Sequence, residues 1–238
     1  MRFASTVLTA IILTATAQSQ TFTINYSSAS LSGTPALLPV TASTAPAPLT
    51  ASSVTRSSDL VAQPALPAGT TTPTFNSSNF PTVSTVSSGV RYLTVTLNPN
   101  GGVLDLNSVT FLVNRDTRGP KDVFLRSSLD LFGANLATLT NLNPNSTGTA
   151  LTVTGLSGAF DTITTPIEFR VYGVNATDST GLLGVLDTGA AQSAVTITGG
   201  FTPVPEPAAV GLLAAAGLGL VGLYRKRVGL SLLQREKP

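Results

Sequence analysis

Through the middle of this chain apolar residues recur at every second position, a period that fits half-buried strands and not amphipathic helices. Phe22, Ile24 and Tyr26 form one such run, Leu93, Val95 and Leu97 a second, and Val109, Phe111 and Val113 a third. Leu151 with Val153, and Val195 with Ile197, add shorter ones, and Ile167, Phe169 and Val171 alternate with Glu168, Arg170 and Tyr172. Between the runs stand turn formers, Asn98-Pro99-Asn100-Gly101-Gly102, Arg118-Gly119-Pro120 and Asn143-Pro144-Asn145. Short strands separated by turn signals predict an all-β fold, an antiparallel β-sandwich of jelly-roll type. A β-helix or repeat array is the alternative, but no fixed-period self-similarity supports it. Residues 27–81 are rich in Ser, Thr, Ala and Pro, as a stalk would be. Leu60, Val61, Phe75 and Phe80 interrupt that stretch with apolar residues, so it is expected to form long loops and edge strands of the same sandwich.

Charged residues make up only 10% of the 238, against about 25% in an average soluble domain, so Ser, Thr and Asn must solvate much of the surface. The basic pI of about 9.2 misleads. Arg2 and five residues beyond position 224 carry six of the thirteen basic groups, which leaves seven basic against nine acidic residues in the middle. A nucleic-acid partner therefore has no electrostatic basis. Cysteine and histidine are both absent, which excludes disulfides, thiolate nucleophiles, ordinary zinc sites and Ser-His-Asp catalysis.

The two ends carry a different pattern. Arg2 precedes an apolar run from Phe3 to Ala15, and Ala15-Thr16-Ala17 supplies small residues for a signal peptidase, so residues 1–17 are expected to be a signal peptide cleaved after Ala17. Residues 208–224 are uncharged and rich in Ala, Gly, Leu and Val, and as a helix would span roughly 25 Å, enough to cross a bilayer. The basic cluster Arg225, Lys226 and Arg227 should stay cytoplasmic, which puts the middle of the chain outside. Pro205, Glu206 and Pro207 stand just before the span. The prolines hold the chain extended, and Glu206 faces the positive end of the helix dipole. Gly211, Ala215 and Gly219 repeat at four-residue spacing, which the Gly/Ala-rich composition alone accounts for.

Val204-Pro205-Glu206-Pro207, the apolar span and Tyr224-Arg225-Lys226-Arg227, in that order, resemble the PEP-CTERM sorting signal. The resemblance implies recognition by an exosortase, a membrane enzyme that cleaves near Pro-Glu-Pro and passes its substrate to the bacterial surface or an extracellular matrix. This chain departs from the family pattern by continuing from Val228 to Pro238. The implied organisation is a signal peptide (1–17), a β-sandwich ectodomain (18–202), a sorting signal (203–227) and a cytoplasmic tail (228–238).

Candidate chemistry in the middle is sparse. The loop from Arg115 to Asp122 concentrates charge and is expected to be solvated. Asp105, Asp116, Asp122 and Asp187 are possible calcium ligands that no loop motif unites, so no metal and no cofactor is assigned. Glycoside hydrolysis needs only two carboxylates, but Glu168 stands beside Arg170 on the polar face of a strand, where an ion pair is the ordinary outcome. No catalytic residue is assigned, and the chain is not expected to be an enzyme. Asn25, Asn76, Asn145 and Asn175 begin Asn-x-Ser/Thr triplets, a pattern expected by chance in so polar a chain.

These readings combine in an exported surface or matrix protein, structural or adhesive, anchored in the inner membrane until an exosortase acts. The rival is a carbohydrate-binding module that uses Tyr92 or Tyr172 on extracellular polysaccharide, and a glycoside hydrolase is third.

Overall fold

The alternating segments fold as strands. The computed structural model of the chain describes residues 18–27, 41–42, 45, 47–63, 74–86, 91–144, 147–186 and 193–204. Fourteen strands occur among the described residues. They begin with β1 (Gln20–Ser27), β2 (Thr41–Ala42), β3 (Thr50–Ala51), β4 (Thr55–Arg56), β5 (Val61–Ala62), β6 (Thr74–Ser78) and β7 (Tyr92–Asn98). The others are β8 (Val103–Arg115), β9 (Asp122–Ser127), β10 (Ala137–Leu139), β11 (Thr149–Thr154), β12 (Ile167–Val174), β13 (Leu183–Leu186) and β14 (Val195–Thr202). Two single 3-10 turns, Ser128–Asp130 and Gly158–Phe160, are the helical pieces among the described residues. None of those residues forms a helix long and apolar enough to cross a membrane, and the span expected at 208–224 lies outside them.

All strand pairs are antiparallel, in one sheet of eight strands and one of six. In the six-stranded sheet β12 lies between β7 and β9, with Phe169 opposite Val95 and Val171 opposite both Leu93 and Leu125. These apolar residues are fully buried, whereas Thr94, Thr96, Glu168 and Arg126 on the other face are half exposed. In the larger sheet Phe111 of β8 faces Val195 of β14 on one side and Leu151 of β11 on the other. Val113 in the same way faces Val185 of β13 and Thr149 of β11, so β13 and β14 follow one another along a single edge of β8. The rows of the larger and smaller sheets therefore run β1-β14-β8-β11 and β7-β12-β9-β10. Their inward residues, among them Ile24, Leu106, Phe111, Phe169 and Phe201, form one hydrophobic core shared by both sheets.

The Ser/Thr/Pro-rich stretch contributes short strands to both sheets. β3 and β4 pair with β7, and β5 with β6, while Leu60, Phe75 and Phe80 are buried and Val61 is exposed. Arg56 of β4 reaches across to β6. Its Nε donates to Ser77 Oγ at 2.9 Å, its Nη2 to the Asn76 carbonyl at 3.2 Å, and its guanidinium lies 4.0 Å from the centre of the Phe75 ring. Burial lowers the Arg56 pKa to about 10, which still leaves it charged at neutral pH and able to tie the two sheets together. The strands belong to one compact unit, Ser19–Pro203, and of the described residues only Gln18 and Val204 lie beyond it.

Tyr26 at the end of β1 has a fully buried hydroxyl with no hydrogen-bond partner among the described residues. Burial raises its pKa well above the ordinary 10.0. The unfolded chain then loses the phenol proton at a pH where the folded chain retains it, so stability falls as pH rises past about 10. Tyr26→Phe should remove that share of the alkaline loss and raise stability at neutral pH by about 1 kcal/mol. Urea unfolding at pH 7 and pH 10.5 measures both, and a neutral-pH loss of stability would mean that the hydroxyl finds a partner in solution.

Candidate functional site

The charged loop between β8 and β9 folds inward. Asp116 Oδ1 accepts hydrogen bonds from the backbone N–H groups of Arg118 (3.0 Å), Gly119 (2.6 Å) and Leu182 (2.9 Å). Arg115 donates through Nε to the Leu142 carbonyl and through Nη1 to the carbonyls of Asp116 at 3.1 Å and Gly119 at 2.9 Å. Both side chains are buried, and burial lowers the Arg115 pKa against the opposing charge of Asp116. This corrects the expectation of a solvated loop. Thr117, Arg118 and Lys121 do face water, but the charges at Arg115 and Asp116 organise backbone.

Asp122 is similarly engaged, accepting from the Asn141 N–H at 3.0 Å and from the Asn175 side-chain amide. Asp187 lies outside the described residues, among which no three acidic side chains converge as a metal site. Of the four sequons, Asn145 is also outside, Asn76 is fully buried, and Asn25 accepts from Thr196 Oγ1 at 3.1 Å.

Glu168 pairs with Arg170 through two contacts, 2.8 Å from Oε1 to Nε and 3.1 Å from Oε2 to Nη2, and Thr94 Oγ1 donates to Oε1 at 2.8 Å. The Arg170 guanidinium is held between two rings, 3.9 Å from the centre of Tyr92 and 3.7 Å from that of Phe132. Tyr92 and Tyr172 do come together, with centroids 5.6 Å apart. Tyr172, however, is only 2% exposed and Arg126 lies over its ring, while Arg170 occupies a face of Tyr92. The two tyrosines are thus packed against arginines and do not present a bare stacking face.

A different place on the outer surface is concave. Opposite Thr198 and Gly199 of β14, β8 holds one residue too many, because Thr198 faces Ser108 and Gly199 faces Leu106, leaving Asn107 without a partner. Such a bulge re-aims the extra side chain. Here Asp105 and Asn107 stand exposed on one wall of a cleft of about 450 Å³, with Thr21 and Thr23 of β1 opposite and Leu156, whose N–H donates to the Asn107 carbonyl at 3.1 Å, beside Asn107. Gly199 and Gly200 form its floor. A Cβ at Gly199 would lie 2.3 Å from the Asp105 carbonyl, so the bulge requires glycine there. Among the described residues no hydrogen bond or ion pair engages the Asp105 carboxylate, the Asn107 amide or the hydroxyls of Thr21 and Thr23. Adjacent glycines inside an alternating strand were the available sequence signal for this feature.

The expected sorting residues Pro205, Glu206, Pro207, Arg225, Lys226 and Arg227, like Ala15 and Ala17 of the signal-peptidase site, lie outside the described residues. Comparison with protein families bears on the first six. Residues 203–228 match the PEP-CTERM protein-sorting motif. The PEP-CTERM match starts at Pro203 and takes in Pro-Glu-Pro, the apolar run and the basic cluster. Signals of this kind are recognised by exosortase, a membrane enzyme, and imply an exported protein processed at the cell envelope. Comparisons with curated proteins and with solved structures return no match.

Proposed function

We propose that this chain is a structural or adhesive protein of a bacterial envelope or extracellular polysaccharide matrix. A signal peptide exports it, the 208–224 helix holds the precursor in the inner membrane, and an exosortase cuts near Pro205–Pro207. The observation that carries the reading is the PEP-CTERM match at 203–228, whose three parts stand in the order that membrane insertion and cleavage demand. An all-β outer domain with few charges fits a surface role. We read that domain as a jelly-roll sandwich. With β13 and β14 taken as one interrupted strand, its eight main strands in chain order give rows 1-8-3-6 and 2-7-4-5, which supports two Greek keys.

A second reading, glycan binding at the surface, draws on the polar cleft over Gly199 and Gly200 rather than on the tyrosines. The sorting reading is tested by intact mass and cell fractionation of the native protein beside a Glu206→Ala, Pro207→Ala variant. Wild type is expected outside the inner membrane without the segment beyond about residue 207, and the variant full-length within it. Full-length protein in the membrane in both cases would make the C-terminus a plain anchor.

A further inference from the structure

We propose that the cleft over Gly199 and Gly200 binds a neutral sugar chain, with Asp105, Asn107, Thr21 and Thr23 holding its hydroxyl groups. The inference rests on the glycan-binding reading and gives it a location and a ligand class. A carboxylate accepts from two neighbouring hydroxyls at once, and an amide accepts from one while donating to the next. Asp105 and Asn107 supply this pair side by side on β8, because the bulge turns Asn107 toward the same outer face. Across the cleft the Thr21 and Thr23 hydroxyls donate or accept as the sugar requires. Leu156, half buried, offers the apolar surface that the C–H face of a pyranose covers. The glycine floor matters because absent side chains let a flat ring lie against the strands.

Charge and size set the ligand class. Among the described residues the lining contains one carboxylate and no cation, which opposes uronic or sulfated polymers. A calcium ion takes six to eight oxygen ligands, usually several of them carboxylates, and no second acidic residue among those described lines the cleft. A volume of about 450 Å³ lies within the range of about 300–1,000 Å³ that small-ligand sites occupy.

The test is affinity electrophoresis of the full-length protein in mild non-ionic detergent, through native gels containing dextran, galactomannan, xyloglucan or the acidic polymer alginate. At least one neutral polymer should retard wild type, equally with and without EDTA. Gly200→Val should weaken the retardation at least tenfold by filling the floor. Its Cβ would meet Ser19 Oγ at 3.3 Å, a tight contact that the exposed serine hydroxyl can relieve by moving a few tenths of an ångström, and the Asp105 Cβ at an ordinary 3.7 Å, so the strand should survive. Asp105→Ala, at an exposed position, should weaken retardation as strongly, and Arg126→Gln on the other sheet should leave it unchanged. If wild type is retarded but Gly200→Val and Asp105→Ala bind as well, glycan binding stands and the cleft is the wrong place. If no neutral polymer retards wild type, the cleft proposal and the glycan reading fall together. Binding that EDTA abolishes would assign the cleft to a cation, and retardation by alginate alone to an anionic ligand; either overturns the proposal.

Discussion

Asp116→Ala is expected to lower the stability of the outer domain by about 3–5 kcal/mol, the cost of breaking a buried charge network by removing one partner. Three backbone N–H groups, of Arg118, Gly119 and Leu182, lose the carboxylate at once, Gly119 keeping only its 3.3 Å bond to the Asp116 carbonyl, and Arg115 is left buried without its neighbouring charge. A domain of this kind has only about 5–15 kcal/mol in all. Asp116→Asn separates the two contributions. Its amide oxygen still accepts backbone hydrogen bonds, so it should cost clearly less than alanine while losing the charge. Urea unfolding of both variants beside wild type gives the comparison. Equal losses would mean that the charge matters and the three N–H bonds do not; a loss under 1 kcal/mol for alanine would mean that water replaces the carboxylate and that the loop is solvated after all.

That loop also shows where sequence reading stops. Arg115 to Asp122 reads as a run of surface charge, because nothing in those eight residues announces that Leu142 and Leu182 will be brought alongside by pairing elsewhere. Strands with one dry face are legible, since Leu93, Val95 and Leu97 write their burial as a period of two. β13 is not, because Leu183 to Leu186 are buried on both faces and leave no alternation. β9 hides for another reason. Val123 and Leu125 do alternate, but Phe124 on the outer face fills the gap between them, so the segment reads as a continuous apolar run. The order of strands in each sheet depends on partners far apart in the chain, such as Thr94 with Arg170. Periodicity carries no information about such pairing. The tyrosines err in the opposite direction, since an aromatic on a polar face suggests exposure until Arg126 and Arg170 are seen to lie over the rings. The sorting signal was readable because its parts are contiguous and act through length, charge and proline geometry.

Gly119 should tolerate substitution least of the loop residues. A Cβ there would lie 2.0 Å from the Leu182 carbonyl oxygen and 2.8 Å from its carbon, and backbone cannot rotate out of the way. The same carbonyl accepts from the Asp116 N–H at 3.2 Å, and the Leu182 N–H donates to the Asp116 carboxylate. Any shift of Leu182 that relieves the clash therefore weakens both bonds. From across the contact, a Cβ on Gly181 would meet the Arg118 carbonyl oxygen at 2.2 Å, so the two glycine backbones define one close approach. Gly119→Ala is accordingly expected to cost about 3 kcal/mol or more, overpacking added to lost hydrogen bonds. Gly101→Ala is the control. Gly101 has φ of +86° in the β7–β8 turn with nothing within 4 Å of its Cβ position, so alanine there meets conformational strain alone, about 1–2 kcal/mol. If urea unfolding gives Gly119→Ala no more than the Gly101→Ala cost, the contact yields easily and the loop is not a rigid joint. A clearly larger loss places a rigid backbone joint where the sequence showed only a charged turn.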